Sequence, residues 1–185
     1  MALVRVLVDG YNLINELCRQ AEFRDYQKSS LLHNWPELAP GQPRHSARAR
    51  DELVYVLTRY QDATGERITI FFGGSGTDIL PVPYGRDARS TTTGVEVLFS
   101  RAGQTADEMI ERAAHRYQPY GEVLVVTDDR AERDTVTGLG GLTASCPNFI
   151  RMIEDALTEL QDEVRNHNWA ERNRFKRPHK NKTHE

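Results

Sequence analysis

The chain has 185 residues with 38% hydrophobic and 28% charged residues, which predicts one globular domain and excludes a wholly disordered chain. It contains no apolar run of about 18 residues, so the sequence predicts no membrane-spanning helix and no membrane partner. The N-terminal apolar run is too short for a signal peptide. Its two cysteines, Cys18 and Cys146, are too few for a disulfide framework or a cysteine zinc site. We therefore expect a cytoplasmic protein.

The net charge of −3 is unevenly distributed along the chain. Residues 165–185 carry seven Lys and Arg against two Glu, a net +5, so the first 164 residues carry −8. This pattern excludes a uniformly cationic nucleic-acid binder but allows a local basic arm, and a tail that only improves solubility explains it equally well. We divide the chain into a domain at 1–165 and a basic, flexible tail at 166–185.

Apolar runs alternate with helical stripes in the first half of the chain. A buried strand is predicted at 4–8, followed by an irregular segment at about 15–45 that contains proline breakers. A helix is predicted at about 46–63 and a strand at 67–72. A second long loop, rich in Gly, Pro, Ser and Thr, follows at 73–93.

The second half continues the same alternation. Its predicted elements are a strand at 95–99, a helix at 106–117, a strand at 123–126, a helix at 129–137, a weak strand at 142–146 and a helix at 148–164. Strands that alternate with helices predict a single three-layer α/β domain with a mostly parallel five-stranded sheet and helices on both faces.

The last helix carries a heptad-like seam. Its apolar residues are Ile150, Ile153, Leu157, Leu160 and Val164. Two heptads are too few to define a coiled coil, so the seam favours packing on the sheet, with a homodimer contact as the alternative.

Carboxylates stand where predicted strands end. Asp9 follows the first strand, Asp128 and Asp129 follow the fourth, and Asp107 and Glu108 begin the helix after the third. Because ligands of an open parallel sheet bind beyond the carboxyl ends of its strands, we expect these acids at one edge. Grouped carboxylates repel unless a cation neutralises them, and oxygen donors favour Mg²⁺ or Mn²⁺. Such a site suits metal-assisted phosphodiester hydrolysis.

Most of these acids also have a purely structural explanation. Thr105 and Glu108 have the spacing of a capping box, and Asp107 suits a helix N-terminus. Asp128 or Asp129 can cap the helix that follows. The acid that ends the first strand is harder to explain by packing, with turn stabilisation as its alternative.

Several motifs together resemble one family. Val8-Asp9-Gly10-Tyr11-Asn12-Leu13-Ile14 resembles the opening signature of NYN domains, a branch of the PIN-like metal-dependent ribonuclease superfamily. The YacP-like subgroup is the more similar. Its pattern is matched by Trp35-Pro36-Glu37-Leu38, Ala49-Arg50-Asp51-x-Leu53, Tyr60-Gln61-x-x-Thr64-Gly65, Gly94-Val95-Glu96-Val97, Thr105-Ala106-Asp107-Glu108 and Thr127-Asp128. The resemblance covers about residues 3–165.

The resemblance implies a PIN-like sheet of order 3-2-1-4-5 and an endoribonuclease that cuts single-stranded RNA. It implies that Asp9, Asp107 and Asp128 are catalytic and hold Mg²⁺ or Mn²⁺. We assign supporting roles to Asn12, Glu108, Thr127 and Asp129. Of these, Asn12 would hold the turn at Asp9 or a water molecule.

One position departs from the family's pattern. The second strand ends in Phe71-Phe72-Gly73-Gly74, where the family has an aspartate. Losing this acid removes negative charge from the site and weakens binding of a second metal ion. The alternative function is therefore an RNA-binding module that cuts weakly or not at all and docks on messenger RNA or on the ribosome.

Other side chains are candidates for RNA contacts. Arg50 lies on the apolar face of its predicted helix, where it can pair with a site carboxylate or an RNA phosphate, or extend past its neighbours to solvent. Trp35 is a candidate for base stacking. The basic tail adds Arg172, Arg174, Lys176 and Arg177.

Overall fold

The structure, a computed structural model, describes residues 3–23, 46–74, 94–101 and 103–174. Its strands are β1 (Leu3–Asp9), β2 (Ile68–Phe72), β3 (Glu96–Phe99), β4 (Glu122–Val126) and β5 (Leu142–Ala144). Its helices are α1 (Gly10–Phe23), α2 (Ala47–Thr64), α3 (Ala106–Tyr117), α4 (Arg130–Gly138) and α5 (Cys146–Arg174). The five strands form one parallel sheet of order β3-β2-β1-β4-β5, which confirms the predicted fold.

Both faces of the sheet are covered by helices. Successive strand residues point to opposite faces, so Val6 and Val8 join one core and Leu7 joins the other. The first face packs against α1, α2 and α5, and the second face packs against α3 and α4. The central strands are buried on both sides, as the continuous apolar runs of the sequence predict.

The strand order reverses between β1 and β4. From β1 the chain moves outward to β2 and β3, then returns across the sheet to β4 and continues to β5 on the other side. The carboxyl ends of β1 and β4 are therefore adjacent, with Val8 paired to Val126. A crevice at such a reversal is the expected ligand site of an open α/β sheet.

The first predicted loop is wrong where it overlaps α1. Residues 15–23 are helical, and Leu13, Ile14, Leu17 and Cys18 are buried on the first face. This apolar stripe is short and directly continues a strand, so its helical period is hard to separate from the strand's apolar run. Residues 24–45 and 75–93 lie outside the described residues.

The last helix is longer than predicted. α5 continues through residue 165 to Arg174, so the first nine residues of the predicted flexible tail are helical. The side chains from Thr158 to Ala170 are exposed. This half of the helix therefore has no apolar stripe from which its helical structure could be predicted beyond residue 164. Ion pairs three residues apart, Asp162–Arg165 at 3.3 Å and Glu171–Arg174 at 3.2 Å, stabilise it locally.

The seam of α5 divides into two parts. Ile150, Ile153 and Leu157 are buried in the first-face core, as predicted, whereas Leu160 and Val164 are 37% and 52% exposed. The homodimer contact stays a prediction. No helix within the described ranges is long and apolar enough to cross a membrane.

Candidate metal centre

Asp9 ends β1 and caps the helix that follows. One carboxylate oxygen accepts a hydrogen bond from the backbone N–H of Asn12 at 3.0 Å, and the other accepts from the Asn12 side-chain amide. A Cβ at Gly10 would overlap the ring of Phe72, so the direct step from strand to helix requires glycine there. Asn12 thus holds the turn at Asp9, and its supporting role in a metal site stays a prediction.

Asp107 is placed by the capping box of α3. The Thr105 hydroxyl accepts from the Glu108 N–H at 3.1 Å, and the Glu108 carboxylate accepts from the Thr105 N–H at 3.4 Å. The capping interpretation of Thr105 and Glu108 is therefore confirmed. It fixes the first turn of the helix, which brings Asp107 to the carboxyl end of β1.

The acids after β4 have different structural roles. Asp129 caps α4 by accepting hydrogen bonds from the N–H groups of Ala131 and Glu132, at 2.7 and 3.2 Å. Its own N–H donates to the buried Thr127 hydroxyl at 3.1 Å. The exposed Asp128 accepts a hydrogen bond from the N–H of Cys146 at the start of α5, at 2.9 Å. The two acids therefore hold the beginnings of two helices.

The third member of the acidic group is Glu132 rather than Asp128. One carboxylate oxygen from each of Asp9, Asp107 and Glu132 lies within 4.8 Å of the other two. Asp128 lies outside this group, because the turn after β4 directs it toward α5 while the first turn of α4 returns Glu132 to the sheet edge. The role of Asp128 as a metal ligand stays a prediction.

A signal for Glu132 exists in the sequence. It lies four residues before Val136, so both share the buried face of the short helix α4. A charged residue at such a position is rare unless it has a partner or a ligand. Glu132 is 3% exposed, and neither of its carboxylate oxygens has a hydrogen-bond partner among the described residues.

The carboxylates of this group oppose one another's ionisation. Burial is the main cause that raises the pKa of Glu132 to about 7. The Thr127 hydroxyl is near enough to lower this pKa, although it forms no well-aligned hydrogen bond with the carboxylate, and Asp107, Asp9 and Asp129 raise it further. Burial, followed by the charges of Asp9 and Asp129, also raises the pKa of Asp107. A divalent cation would offset this repulsion.

Gly73 follows β2 at the same edge of the sheet. A Cβ added at Gly73 would lie 3.7 Å from the Cβ of Ala106, an ordinary contact beside the first turn of α3. The position is therefore next to Asp107 and has room for a side chain. Among the described residues, this strand end contributes no carboxylate, as the sequence predicts.

Arg50 approaches the same edge from α2. Its guanidinium donates to the Tyr11 hydroxyl at 3.3 Å and lies 6.0 Å from the centre of the Phe99 ring. The half-buried side chain is thus held between α1 and the end of β3, as its place on the apolar helix face predicts. A contact with RNA phosphate stays a prediction.

The remaining candidates for RNA contacts divide between two groups. Arg172 and Arg174 are exposed near the end of α5, and Arg174 pairs with Glu171. Trp35, Lys176 and Arg177 lie outside the described residues.

The five-stranded parallel sheet, with three acids where its strand order reverses, defines a PIN-like α/β domain. The chain belongs to the YacP-like NYN domain family, a PIN-like nuclease family, whose model matches residues 6–185. It is 28% identical over 161 residues to the "Uncharacterized protein YacP" of Bacillus subtilis strain 168, covering 86% of this chain and 81% of that protein.

Solved structures agree with this assignment. The chain superposes on the crystal structure of a mutant of Rae1 (YacP) from Bacillus subtilis with a TM-score of 0.60 and 26% identity, covering 90% of this chain and 84% of that one. For a second crystal structure of Rae1 (YacP), the TM-score is 0.57 and the identity 26%, with 92% of this chain and 84% of that one covered.

Proposed function

We propose that the protein is a Mg²⁺- or Mn²⁺-dependent endoribonuclease that hydrolyses phosphodiester bonds of single-stranded RNA. One observation carries the proposal: Asp9, Asp107 and Glu132 bring carboxylate oxygens within 4.8 Å of one another at the reversal of strand order. Membership of a nuclease family supports it. Three negative groups repel a polyanionic substrate unless a cation lies between them, so the proposal requires a divalent metal ion.

The three acids fit a divalent cation. Every donor in the group is a carboxylate oxygen. Mg²⁺ and Mn²⁺ prefer oxygen ligands, whereas zinc sites typically use His and Cys. Glu132 is buried and its oxygens have no hydrogen-bond partner in the described part of the chain, so they are available as ligands. A bound divalent ion would stabilise negative charge on the phosphate and lower the pKa of an attacking water.

The chain's own residues hold this group in place. Asn12 fixes the Asp9 carboxylate through both of its oxygens. The Thr105–Glu108 capping box orients the turn that carries Asp107, and the Asp129 cap orients the turn that carries Glu132. Each acid therefore lies on, or directly before, a capped helix start, which is a more rigid support than an open loop.

The experiment compares the wild type with Asp9→Asn, Asp107→Asn and Glu132→Gln on an end-labelled single-stranded RNA. Each protein is tested with Mn²⁺, with Mg²⁺ and with EDTA. Asp134→Asn serves as a matched control, because Asp134 is an exposed acid on the same helix as Glu132. We expect metal-dependent internal cleavage by the wild type and the control, and a loss of about 100-fold or more in the three site variants. Cleavage that persists in EDTA would contradict the proposal.

A second candidate function is an RNA-binding module that does not cut, and Gly73 favours it. The group has three acids where the family's pattern supplies a fourth at the end of β2, which weakens its hold on a second metal ion. Wild-type protein that retains RNA on a filter in EDTA, and yields no product with either metal, would support the binding module instead.

A further inference from the structure

A groove runs along the second face of the sheet, between α3 and the β2–β3 edge. It encloses a cavity of about 620 Å³, with Phe71 and Leu98 as its floor and Met109 on its α3 wall. One end lies at Gln104, three residues before Asp107, and the other at Tyr117. The groove therefore begins beside the candidate metal centre and leads away from it.

Three cations line this groove, and no acid in the described part of the chain pairs with them. Arg101, Arg112 and Arg116 are exposed, and none of their guanidinium groups forms an ion pair among the described residues. Glu96, which lines the groove, pairs with Arg5 of β1 at 2.7 Å, so its charge is balanced. The groove thus has a surplus of positive charge in a chain whose net charge is −3. The positive charge of the groove is complementary to a polyanion.

The floor between these cations is apolar and open to solvent. Leu98 is 37% exposed on the edge strand β3 and pairs in register with the buried Phe71 of β2. An apolar strip flanked by arginines suits a nucleobase with its phosphates. It does not suit duplex RNA, whose bases are stacked and paired and cannot reach such a strip.

The geometry of α3 relates the groove to the acids. Arg112 and Arg116 lie on the face of α3 that lines the groove, about 7.5 and 13.5 Å along the helix axis from Asp107 and roughly 140° and 180° around it. Arg101 lies just beyond the end of β3, at the same sheet edge as Asp107. A strand whose phosphate lies at the acids therefore reaches the groove past the start of α3, beside Arg101 and Gln104, and then passes the two arginines in succession.

We infer that this groove holds a segment of single-stranded RNA on one side of the cleaved bond, with phosphates on Arg101, Arg112 and Arg116 and a base against Leu98 and Met109. Cleavage of that bond rests on the proposed function. The RNA-binding role of the groove does not depend on cleavage.

The test measures binding of a fluorescein-labelled 12-nucleotide single-stranded RNA in EDTA, over a range of salt concentrations. The double variant Arg112→Ala/Arg116→Ala is compared with Arg151→Ala, which removes an exposed arginine from α5 on the opposite face. We expect about tenfold weaker binding and a salt slope lower by roughly 1.4 for the double variant, since each single-strand phosphate contact contributes about 0.7. The control should bind like the wild type.

A second measurement locates the RNA. The same oligonucleotide with 4-thiouridine is cross-linked by light, and we expect the labelled peptides to include β3 or α3. Unchanged affinity and salt slope in the double variant, or cross-links confined to other elements, would overturn the inference. If the wild type fails to cut RNA but the double variant still loses binding, the groove stands and the nuclease proposal falls. If the wild type cuts RNA but the double variant binds normally, the nuclease proposal stands and the groove is not the RNA site.

Discussion

At the scale of single residues, the position of a carboxylate decides its role more than its type does. Asp128 and Glu132 are only four residues apart, yet Asp128 is exposed and binds the N–H of Cys146, whereas Glu132 is buried beside Asp9 and Asp107. Asp9 could be singled out from the sequence because it ends a buried strand. Placing Glu132 in the site requires the direction of the first turn of α4, and this direction depends on the Asp129 cap.

Without metal, Glu132 should destabilise the protein at high pH. Its pKa is about 7 in the folded chain against an ordinary value of 4.5, so the folded state keeps a proton that the unfolded chain releases. The free energy of unfolding therefore falls as the pH rises from 4.5 to 7. We expect Glu132→Gln in EDTA to be more stable than the wild type at pH 8, by on the order of 1–3 kcal/mol.

Thermal unfolding at several pH values checks this expectation. The advantage of Glu132→Gln should shrink toward zero as the pH falls to 4.5, because the wild-type side chain is then increasingly protonated in both states. Asp134→Asn, on the exposed side of the same helix, should show no such trend. A Glu132→Gln variant that is less stable than the wild type at pH 8 would disagree with this electrostatic account.

At the scale of secondary-structure elements, helix caps can be recognised in the sequence, and they fix the helix starts that carry Asp107 and Glu132. The Thr-x-x-Glu spacing at 105–108 predicted the start of α3, and the structure has the complete capping box there. The stripe of α2 likewise predicted its buried residues, from Ala49 to Tyr60. α1 was missed because it follows β1 without an intervening turn, so two apolar periods merge in the sequence.

Asp129 should act through its cap rather than as a metal ligand. Asp129→Asn keeps an N-cap acceptor, so we expect stability and metal-dependent cleavage close to the wild type. Asp129→Ala loses the cap, which should cost about 1 kcal/mol of unfolding free energy and lower cleavage by releasing the turn that carries Glu132. The two variants are compared by thermal unfolding and by RNA cleavage. Loss of cleavage in Asp129→Asn as large as in Asp9→Asn would make Asp129 a ligand instead.

A carboxylate at the end of β2 should strengthen metal binding. Gly73 has room for a side chain beside Ala106, and an acid there would join Asp9 and Asp107. We expect Gly73→Asp to bind Mn²⁺ several-fold more tightly than the wild type, and to be less stable without metal because a fourth charge enters the group. Titration with Mn²⁺ and unfolding in EDTA measure both effects. Gly73→Asn is the uncharged control, and equal Mn²⁺ affinity in the two variants would place residue 73 outside the site.

At the scale of the whole molecule, the order of the strands could be given only through a family resemblance. Alternating strands and helices predict a parallel sheet, but they do not say on which side of β1 the chain places β4. The same limit applies to site residues that are far apart in the sequence, because only the fold brings them together. Periodicity identifies α3 and α4, whereas their common position over the β1–β4 boundary is a property of the packed fold.

Residues 165–185, which include the end of α5 and the chain beyond it, carry a net charge of +5. Truncation after Arg165 removes Arg172, Arg174, Lys176 and Arg177, and the side chains it removes from Asn166 to Ala170 are exposed. We expect the melting temperature to change little and the salt slope of RNA binding to fall by roughly 2–3, at about 0.7 for each lost phosphate contact. An unchanged slope would assign these cations to solubility alone.

The position of a bound ion tests the metal centre most directly. Crystals of the protein soaked in MnCl₂ would be measured for the anomalous signal of manganese. We expect a peak bound by oxygens of Asp9, Asp107 and Glu132, at about 2.1 Å, that is absent in crystals of Glu132→Gln. A peak held by Asp128 with no contribution from Glu132, or no peak at this edge of the sheet, would show that Asp9, Asp107 and Glu132 do not form the metal centre.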